Sequence, residues 1–228
     1  MYAVDLHAHT RPFHLPRGRP TVYDPFGAKT LAAVGRRRGL DGVAITNHDY
    51  RVRYESADPL FVDGIEVTTS DGHVLVIGPD PPRRSDPHSR TAAEVVEEAH
   101  DRGCAAVLAH PFRDSGVART AALDADFDAV ELNGKQPQRR DRVDELANEL
   151  GLPTVGGSDT HLPFELGRAH TMVYADELTA ERLVDAIRDG HVEPAVEHYA
   201  SDKVILPVYD AIHRVRDEIS ALRQTRPL

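Results

Sequence analysis

The sequence of 228 residues predicts an α/β fold in which βα units close, or nearly close, into a barrel. Eight short apolar runs, rich in β-branched residues and mostly continuous, are typical of strands that are buried on both faces. Amphipathic stretches alternate with these runs, and that alternation indicates βα units around a parallel sheet. Seven or eight strands in one domain favour a barrel over an open sheet.

The predicted elements follow in order along the chain. The predicted strands are 2–6, 42–46, 60–67, 74–77, 105–109, 129–132, 153–156 and 171–174. Helices are predicted over 27–38, 91–103, 138–150, 179–189 and 207–223. Thr91 and Glu94 form a capping-box pattern, and Gly39 and Gly151 follow two of the helices. We expect a barrel domain over 1–195 and a carboxyl-terminal segment over 196–228, whose helix packs on the barrel or mediates a homodimer.

Composition excludes several classes of protein. A net charge of −10 argues against general binding to nucleic-acid backbones. No apolar run approaches the roughly 18 residues of a membrane span, so no membrane association is expected. The first residues lack the pattern of a signal peptide, and a lone Cys104, predicted to pack in the core, fits a reducing compartment. We therefore expect a cytoplasmic protein.

Histidine is unusually frequent, with 13 residues, and many of these lie where a predicted strand ends. Because the carboxyl ends of parallel barrel strands share one face, side chains there converge on the mouth of the barrel. His73 precedes its strand, so we expect it on a loop folded back over the same mouth. The polar side chains expected at the mouth are His7, His9, His14, His48, Glu66, His73, His110, Glu131, Asp159 and His161.

This set of residue types points to metal binding. His7 and His9 are separated by one residue, so on a strand they face the same side and can bind one ion. Clusters of histidine and carboxylate suit Zn²⁺, Mn²⁺ or Fe. Glu66 can bridge two ions through its two oxygens. Glu131 either binds an ion itself or orients a histidine that does.

The ordered motifs resemble those of the PHP superfamily, the polymerase and histidinol phosphatase proteins, over roughly residues 1–195. The matching segments are Asp-Leu-His7-Ala-His9-Thr, Ile-Thr-Asn-His48, Gly-Ile-Glu66, Gly-His73-Val-Leu-Val-Ile-Gly, Ala-His110-Pro-Phe, Val-Glu131-Leu-Asn133 and Gly-Ser-Asp159-Thr-His161. Relatives often have Asp where this chain has Asn47, and the offset of the ligand at His14 varies among them.

The resemblance implies a distorted (β/α)7 barrel of the PHP type with two or three divalent ions, Mn, Fe or Zn, at its mouth. Carried over by position, the first ion has His7, His9, Glu66 and Asp159 as ligands. The second has Glu66, His73 and His110, and the third has His14, His48 and His161. Only 49 residues separate His110 from Asp159, so a large insertion seen in some relatives is absent, and the mouth is open or covered by a partner subunit.

The implied activity is hydrolysis of a small phosphate ester, a phosphomonoester or a nucleotide, by a metal site that activates water. The partner is then a small phosphorylated substrate. Glu66 and Asp159 are the catalytic carboxylates, and Arg113 and Arg168 are candidates for binding the phosphate.

Three alternatives remain at this point. An amidohydrolase-type barrel also begins with two histidines but uses a carboxylated lysine as its bridge; the lysines are Lys29, Lys135 and Lys203, and none is predicted to end a central strand. Histidinol phosphate, or a non-phosphate ester or amide, is an alternative substrate. A barrel without activity, serving a nucleic-acid-processing complex, is the third.

Overall fold

A computed structural model describes residues 1–12, 18–117 and 119–199. The chain divides into two units, Met1–Val196 and Glu197–Leu228, and only 197–199 of the second unit are described. Two predictions, the ligand His14 and the helix over 207–223, lie outside the described residues.

A nine-stranded sheet forms the first unit, and its strand order is β7-β6-β5-β4-β3-β2-β1-β8-β9. Strands β1, β2, β3, β5, β6 and β7 run parallel, whereas β4 is antiparallel to both of its neighbours and β8 is antiparallel to β1 and β9. The bounds are β1 (Tyr2–Ala8), β2 (Gly42–Ile45), β3 (Leu60–Thr68), β4 (His73–Ile77), β5 (Ala105–Leu108), β6 (Ala129–Asn133), β7 (Thr154–Gly157), β8 (Ala169–Val173) and β9 (Val192–Val196).

Strands β1 to β7 form the barrel, and backbone hydrogen bonds between the end of β1 and the segment after β7 close it. The amide of His9 donates to the carbonyl of Thr160 (2.8 Å), and the amide of Thr160 donates to the carbonyl of His7 (3.1 Å). Gly156 lets β7 approach β8, because a Cβ there would lie 2.7 Å from the carbonyl carbon of His170. Seven strands with this closure confirm the predicted distorted (β/α)7 barrel.

Five helices accompany the strands in the part of the chain that the structure describes, and local signals in the sequence set their ends. The capping box is confirmed, since the Thr91 side chain accepts from the amide of Glu94 and the Glu94 carboxylate accepts from the amide of Thr91. Gly39 and Gly151, in left-handed conformation, follow the first and fourth helices as predicted. The bounds are α1 (Asp24–Arg38), α2 (Ala92–Asp101), α3 (Arg119–Leu123), α4 (Arg140–Leu150) and α5 (Ala180–Arg188).

The apolar core lies on both faces of the sheet and includes the helix faces that pack against it. On α5, the side chains of Leu183 and Ile187 are fully buried against strand residues such as Ile77. Each such burial contributes about 1.5–3 kcal/mol to folding. Cys104 is buried in a second apolar cluster, which includes Val74 and Val76 of β4, in agreement with its predicted packing role. None of the helices in the described part of the chain is long and apolar enough to cross a membrane.

The direction of β4 corrects one expectation. His73 is not on a loop folded back over the mouth; it is the first residue of β4. Because β4 runs opposite to β3 and β5, its amino end lies beside their carboxyl ends, and Thr68 pairs with His73 in the sheet. The reversed strand therefore delivers His73 to the mouth.

Candidate metal centre

Glu66, near the carboxyl end of β3, lies at the centre of the mouth and is 1% exposed. Its Oε1 lies 2.7 Å from His73 Nδ1 and 2.9 Å from His110 Nε2. Its Oε2 lies within 3.3 Å of nitrogens of three more imidazoles, those of His7, His9 and His48. One carboxylate thus contacts five histidines that come from four different parts of the chain, since His7 and His9 both belong to the end of β1.

Asp159 provides the second carboxylate, two residues after β7. Its Oδ1 lies 3.4 Å from His9 Nε2, 3.8 Å from His7 Nε2 and 3.2 Å from His161 Nδ1. Asp159 has a backbone φ of 52°, and His110, which follows β5 by two residues, has a φ of 27°. Non-glycine residues adopt such left-handed conformations at a cost, and they cluster at functional sites.

The predicted ligands within the described chain converge, and their nitrogen and oxygen atoms form four overlapping groups of three. These groups are His7–His9–Glu66, His48–Glu66–His73, His7–His110–Asp159 and His9–His48–His161. The last group contains His48 and His161, the two described ligands predicted for the third ion, together with His9. The assignment of individual ligands to individual ions stays a prediction.

Glu131 on β6 orients other members of the cluster. Its Oε1 lies 2.8 Å from His7 Nδ1, while its Oε2 accepts from the amide of His110 (2.7 Å) and from Asn133 Nδ2 (3.2 Å). A carboxylate only accepts, so His7 donates from Nδ1, and its Nε2 is the ring nitrogen that faces Glu66 and Asp159. Of the two roles that the sequence left open for Glu131, these contacts favour the orienting one.

Replacing Glu131 with glutamine is expected to weaken metal binding about 10–100-fold, as is usual for a residue that orients a ligand. The amide of glutamine can accept from His7 or from His110 and Asn133, but its NH₂ group cannot accept from either side. Competition with a chelator of known affinity measures the change. Glu193→Gln, on β9, is the control, and equal affinities for the two variants would contradict the orienting role.

Neighbouring charges keep both carboxylates ionised. Burial raises the pKa of Glu66, but His48, His73 and His7 lower it more, so its pKa lies well below the usual range. Burial likewise raises the pKa of Asp159, and Lys135, Arg113 and His7 bring it well below its usual value. Both groups are therefore anionic at neutral pH, which is the form that binds a cation.

Lys135 is a member of the site that the sequence analysis missed. Its Nζ lies 3.1 Å from Asp159 Oδ1 and 3.0 Å from His161 Nδ1. Lys135 does not end a strand, since β6 stops at Asn133, but it follows two residues later, and its side chain still reaches the mouth. Its place after the Val-Glu131-Leu-Asn133 strand was the available signal. The central position is nonetheless occupied by Glu66, so a lysine bridge finds no support here.

The two predicted arginines lie in different surroundings. Arg113, in the turn after His110, donates to Asp159 Oδ2 and so belongs to the cluster. Arg168 directly precedes β8 and is 4% exposed. It packs closely on Gly134, beside the mouth, because a Cβ added at Gly134 would lie 3.3 Å from the Cβ of Arg168. A role of either arginine in binding phosphate stays a prediction.

The residues of the cluster fit a divalent cation. Among the described residues, the buried atoms His7 Nε2, Glu66 Oε2 and His110 Nδ1 make no hydrogen bond. Buried polar atoms ordinarily have a partner, so these atoms need an explanation. His7 Nε2 and Glu66 Oε2 lie 3.2 Å apart, and when the nitrogen is unprotonated both atoms carry lone pairs that a shared cation would satisfy.

Comparisons with known proteins agree with this geometry. Residues 137–192 match the family model described as PHP-associated. No curated protein sequence matches the chain. Among solved structures, PsfC from Pseudomonas syringae superposes with a TM-score of 0.71 at 18% identity, covering 94% of this chain and 98% of that one.

Two further structures share the fold. The lesion-specific endonuclease Q from Pyrococcus furiosus superposes with a TM-score of 0.57 at 18% identity over 85% of this chain, which spans only 57% of that protein. A protein from Bifidobacterium adolescentis, provisionally named a metal-dependent phosphoesterase, superposes with a TM-score of 0.52 at 18% identity, covering 83% of this chain and 96% of that one. At these identities the similarity concerns the fold.

Proposed function

The chain has the PHP-type barrel that its motifs predicted, and from this premise we propose that it is a metal-dependent phosphoesterase acting on a small phosphate ester. The observation that carries the proposal is the cluster itself. One buried carboxylate, Glu66, contacts five imidazoles, and a second carboxylate, Asp159, lies beside two cationic side chains.

Residues of four overlapping groups would hold two or three divalent ions, of which Mn, Fe and Zn suit mixed nitrogen and oxygen ligands. When bound, such ions neutralise charge on a phosphate and lower the pKa of water toward neutrality. Glu66 would be shared between ions because its two oxygens face different histidines.

The cations at the mouth suit the phosphate. Arg113 and Lys135 both contact Asp159, and their side chains are 19% and 7% exposed, so they line the mouth without being surface groups. A guanidinium binds two phosphate oxygens at once, and an ammonium adds a compact charge. This local positive charge in a chain of net charge −10 favours a small phosphorylated substrate over a polynucleotide.

The testing experiment counts metal and measures turnover on the same preparation. The protein is purified with its metal, the ions per chain are measured by mass spectrometry, and phosphomonoesters, phosphodiesters and nucleotides are screened with added Mn²⁺, Fe²⁺ or Zn²⁺. We expect two or three ions per chain and phosphate release that a chelator abolishes. A protein that retains no divalent ion, or one that hydrolyses no phosphate ester when loaded, would refute the proposal.

The proposed metal binding also predicts a higher melting temperature, which can be measured on the same preparation. Ions that bind only the folded protein, at about 100 times their dissociation constant, add about 2.7 kcal/mol of stability. For a domain of this size that raises the melting temperature by roughly 5–10 °C over the chelated protein. Differential scanning calorimetry with and without chelator measures the shift, and coincident melting curves would contradict metal binding at the cluster.

A further inference from the structure

Beside the metal centre lies a pocket that phosphate hydrolysis alone does not explain. Its volume is about 430 Å³, within the range of about 300–1,000 Å³ for small-molecule sites. His9 and His161, two candidate metal ligands, form one side of the pocket. The lining also includes Tyr23, directly before α1, and Phe26 and Leu31 of α1. A molecule in this pocket therefore lies against the metal centre.

The rim of the pocket carries aromatic side chains that face solvent. Tyr23 is 68% exposed, Phe26 is 70% exposed, and the adjacent Val22 is 76% exposed. These three are half of the six large hydrophobic residues that are exposed in the described part of the chain, and they lie within five residues of one another. Exposed apolar groups that are concentrated beside a catalytic mouth are typical of a ligand-binding surface.

The lining of the pocket carries little charge. Apart from the two histidines, Arg11 is the one ionisable cation among the described lining residues, and there is no carboxylate among them. Arg11 is 4% exposed, and its Nε donates to Tyr50 Oη at 2.8 Å. The walls are otherwise made of Pro12, Pro163 and the apolar face of α1. An uncharged group is therefore favoured here, in contrast to the phosphate-binding side at Arg113 and Lys135.

Buried contacts fix the wall that α1 provides. Tyr50 Oη donates to Asp24 Oδ1 at 2.9 Å, and Thr10 donates to the same oxygen. Gly27 lets the helix pack directly on the backbone of Thr10, because a Cβ there would lie 2.9 Å from Thr10 Cα and closer still to its carbonyl. The pocket is thus preformed, which reduces the entropy lost when a ligand binds.

We propose that this pocket binds the alcohol side of the ester and that this part of the substrate carries a flat, uncharged ring, as in an aryl group or a nucleobase. The proposal rests on the proposed function and deepens it. With the phosphate between Glu66 and Arg113, the ring extends past His9 and His161 and packs against Phe26. Rings pack well on aromatic side chains, and burying both would remove apolar surface from water.

The test compares Phe26→Ala with the wild-type protein on two substrates, 2-naphthyl phosphate and ethyl phosphate, by release of inorganic phosphate. We expect the ratio of kcat/KM for naphthyl over ethyl phosphate to fall about tenfold, through KM, at unchanged metal content. Phe26→Tyr is expected to restore the ratio. Tyr174→Ala removes another exposed aromatic, which directly follows β8 and is not among the described residues that line the pocket, and is the matched control. An unchanged ratio in Phe26→Ala would overturn the proposal, and so would an equal fall in the control.

Binding of 2-naphthol, measured by calorimetry, separates this proposal from the proposed function. Phe26→Ala is expected to weaken naphthol binding about tenfold, and nucleoside binding measured alongside distinguishes an aryl ring from a base. If no phosphate ester is hydrolysed but naphthol binds in a Phe26-dependent way, the proposed reaction fails while the ring pocket stands. If neither naphthol nor a nucleoside binds the wild-type protein, the ring pocket is refuted, and a protein partner or second copy of the chain on this surface would account for the exposed aromatics.

Discussion

Glutamine in place of Glu66 is expected to reduce metal content and to lower turnover by about 10³-fold or more. Glutamine keeps the size of the side chain but lacks the charge that faces five imidazoles. Metal ions at such sites contribute several kcal/mol to the stabilisation of a transition state, and each 1.4 kcal/mol is worth about tenfold in rate. Mass spectrometry of bound metal and a saturating turnover assay measure the two effects on the same sample.

The control for this experiment is a partly buried carboxylate that also contacts a histidine, at the other end of the barrel. Asp128 precedes β6 and contacts His100 (3.0 Å) and Arg188 (3.1 Å), and its side chain is 10% exposed. Asp128→Asn is expected to lower stability but to retain metal and turnover. Full metal stoichiometry together with normal turnover in Glu66→Gln would show that Glu66 does not bridge the ions.

Alanine at Gly157 is expected to lower stability and metal binding together. A Cβ at this position, the last residue of β7, would lie 2.6 Å from His7 Cβ and closer still to Glu131 Oε1. Overpacking of this kind typically costs about 1–3 kcal/mol, which corresponds to roughly 2–12 °C in melting temperature. Because the methyl group would also separate His7 from Glu131, we expect metal affinity to fall about 10–100-fold.

Gly42→Ala distinguishes a general packing effect from a specific one. Gly42 begins β2, at the end of the barrel away from the mouth, and a Cβ there would meet side-chain atoms of Leu178 and Val4 at 3.2 Å. We expect a modest loss of stability with unchanged metal affinity. Equal losses of metal affinity in the two variants, measured by chelator competition, would mean that Gly157 matters only for folding.

The barrel and most of the cluster of histidines and carboxylates at its mouth could be predicted from the sequence because their signals are local. Continuous β-branched runs mark buried strands, and the polar residues that follow each run mark the mouth. The sequence also indicated where helices end, as at Gly39 and Gly151, since a left-handed residue is favourable there. The match to ordered motifs then indicated the family type, which the fold and the matched segment at 137–192 support.

What could not be predicted depends on contacts between distant segments. The antiparallel direction of β4 is defined by its pairing with β3 and β5. A short apolar run has the same sequence pattern in a parallel and in an antiparallel strand, so its direction could not be predicted. Lys135 reaches Asp159 only because a turn after β6 lies beside the end of β7. The short β9, which contains Pro194, pairs only with β8 and lacks a strong strand pattern.

The closure of the barrel by His9 and Thr160 determines when the candidate ligands come together during synthesis. The candidate ligands extend from residue 7 to residue 161, and the last two lie on the segment that makes this closure. A nascent chain emerges from its amino end, so the earliest histidines leave the ribosome long before their partners. A cation held by all of the candidate ligands could therefore be bound only after nearly the whole barrel has been translated.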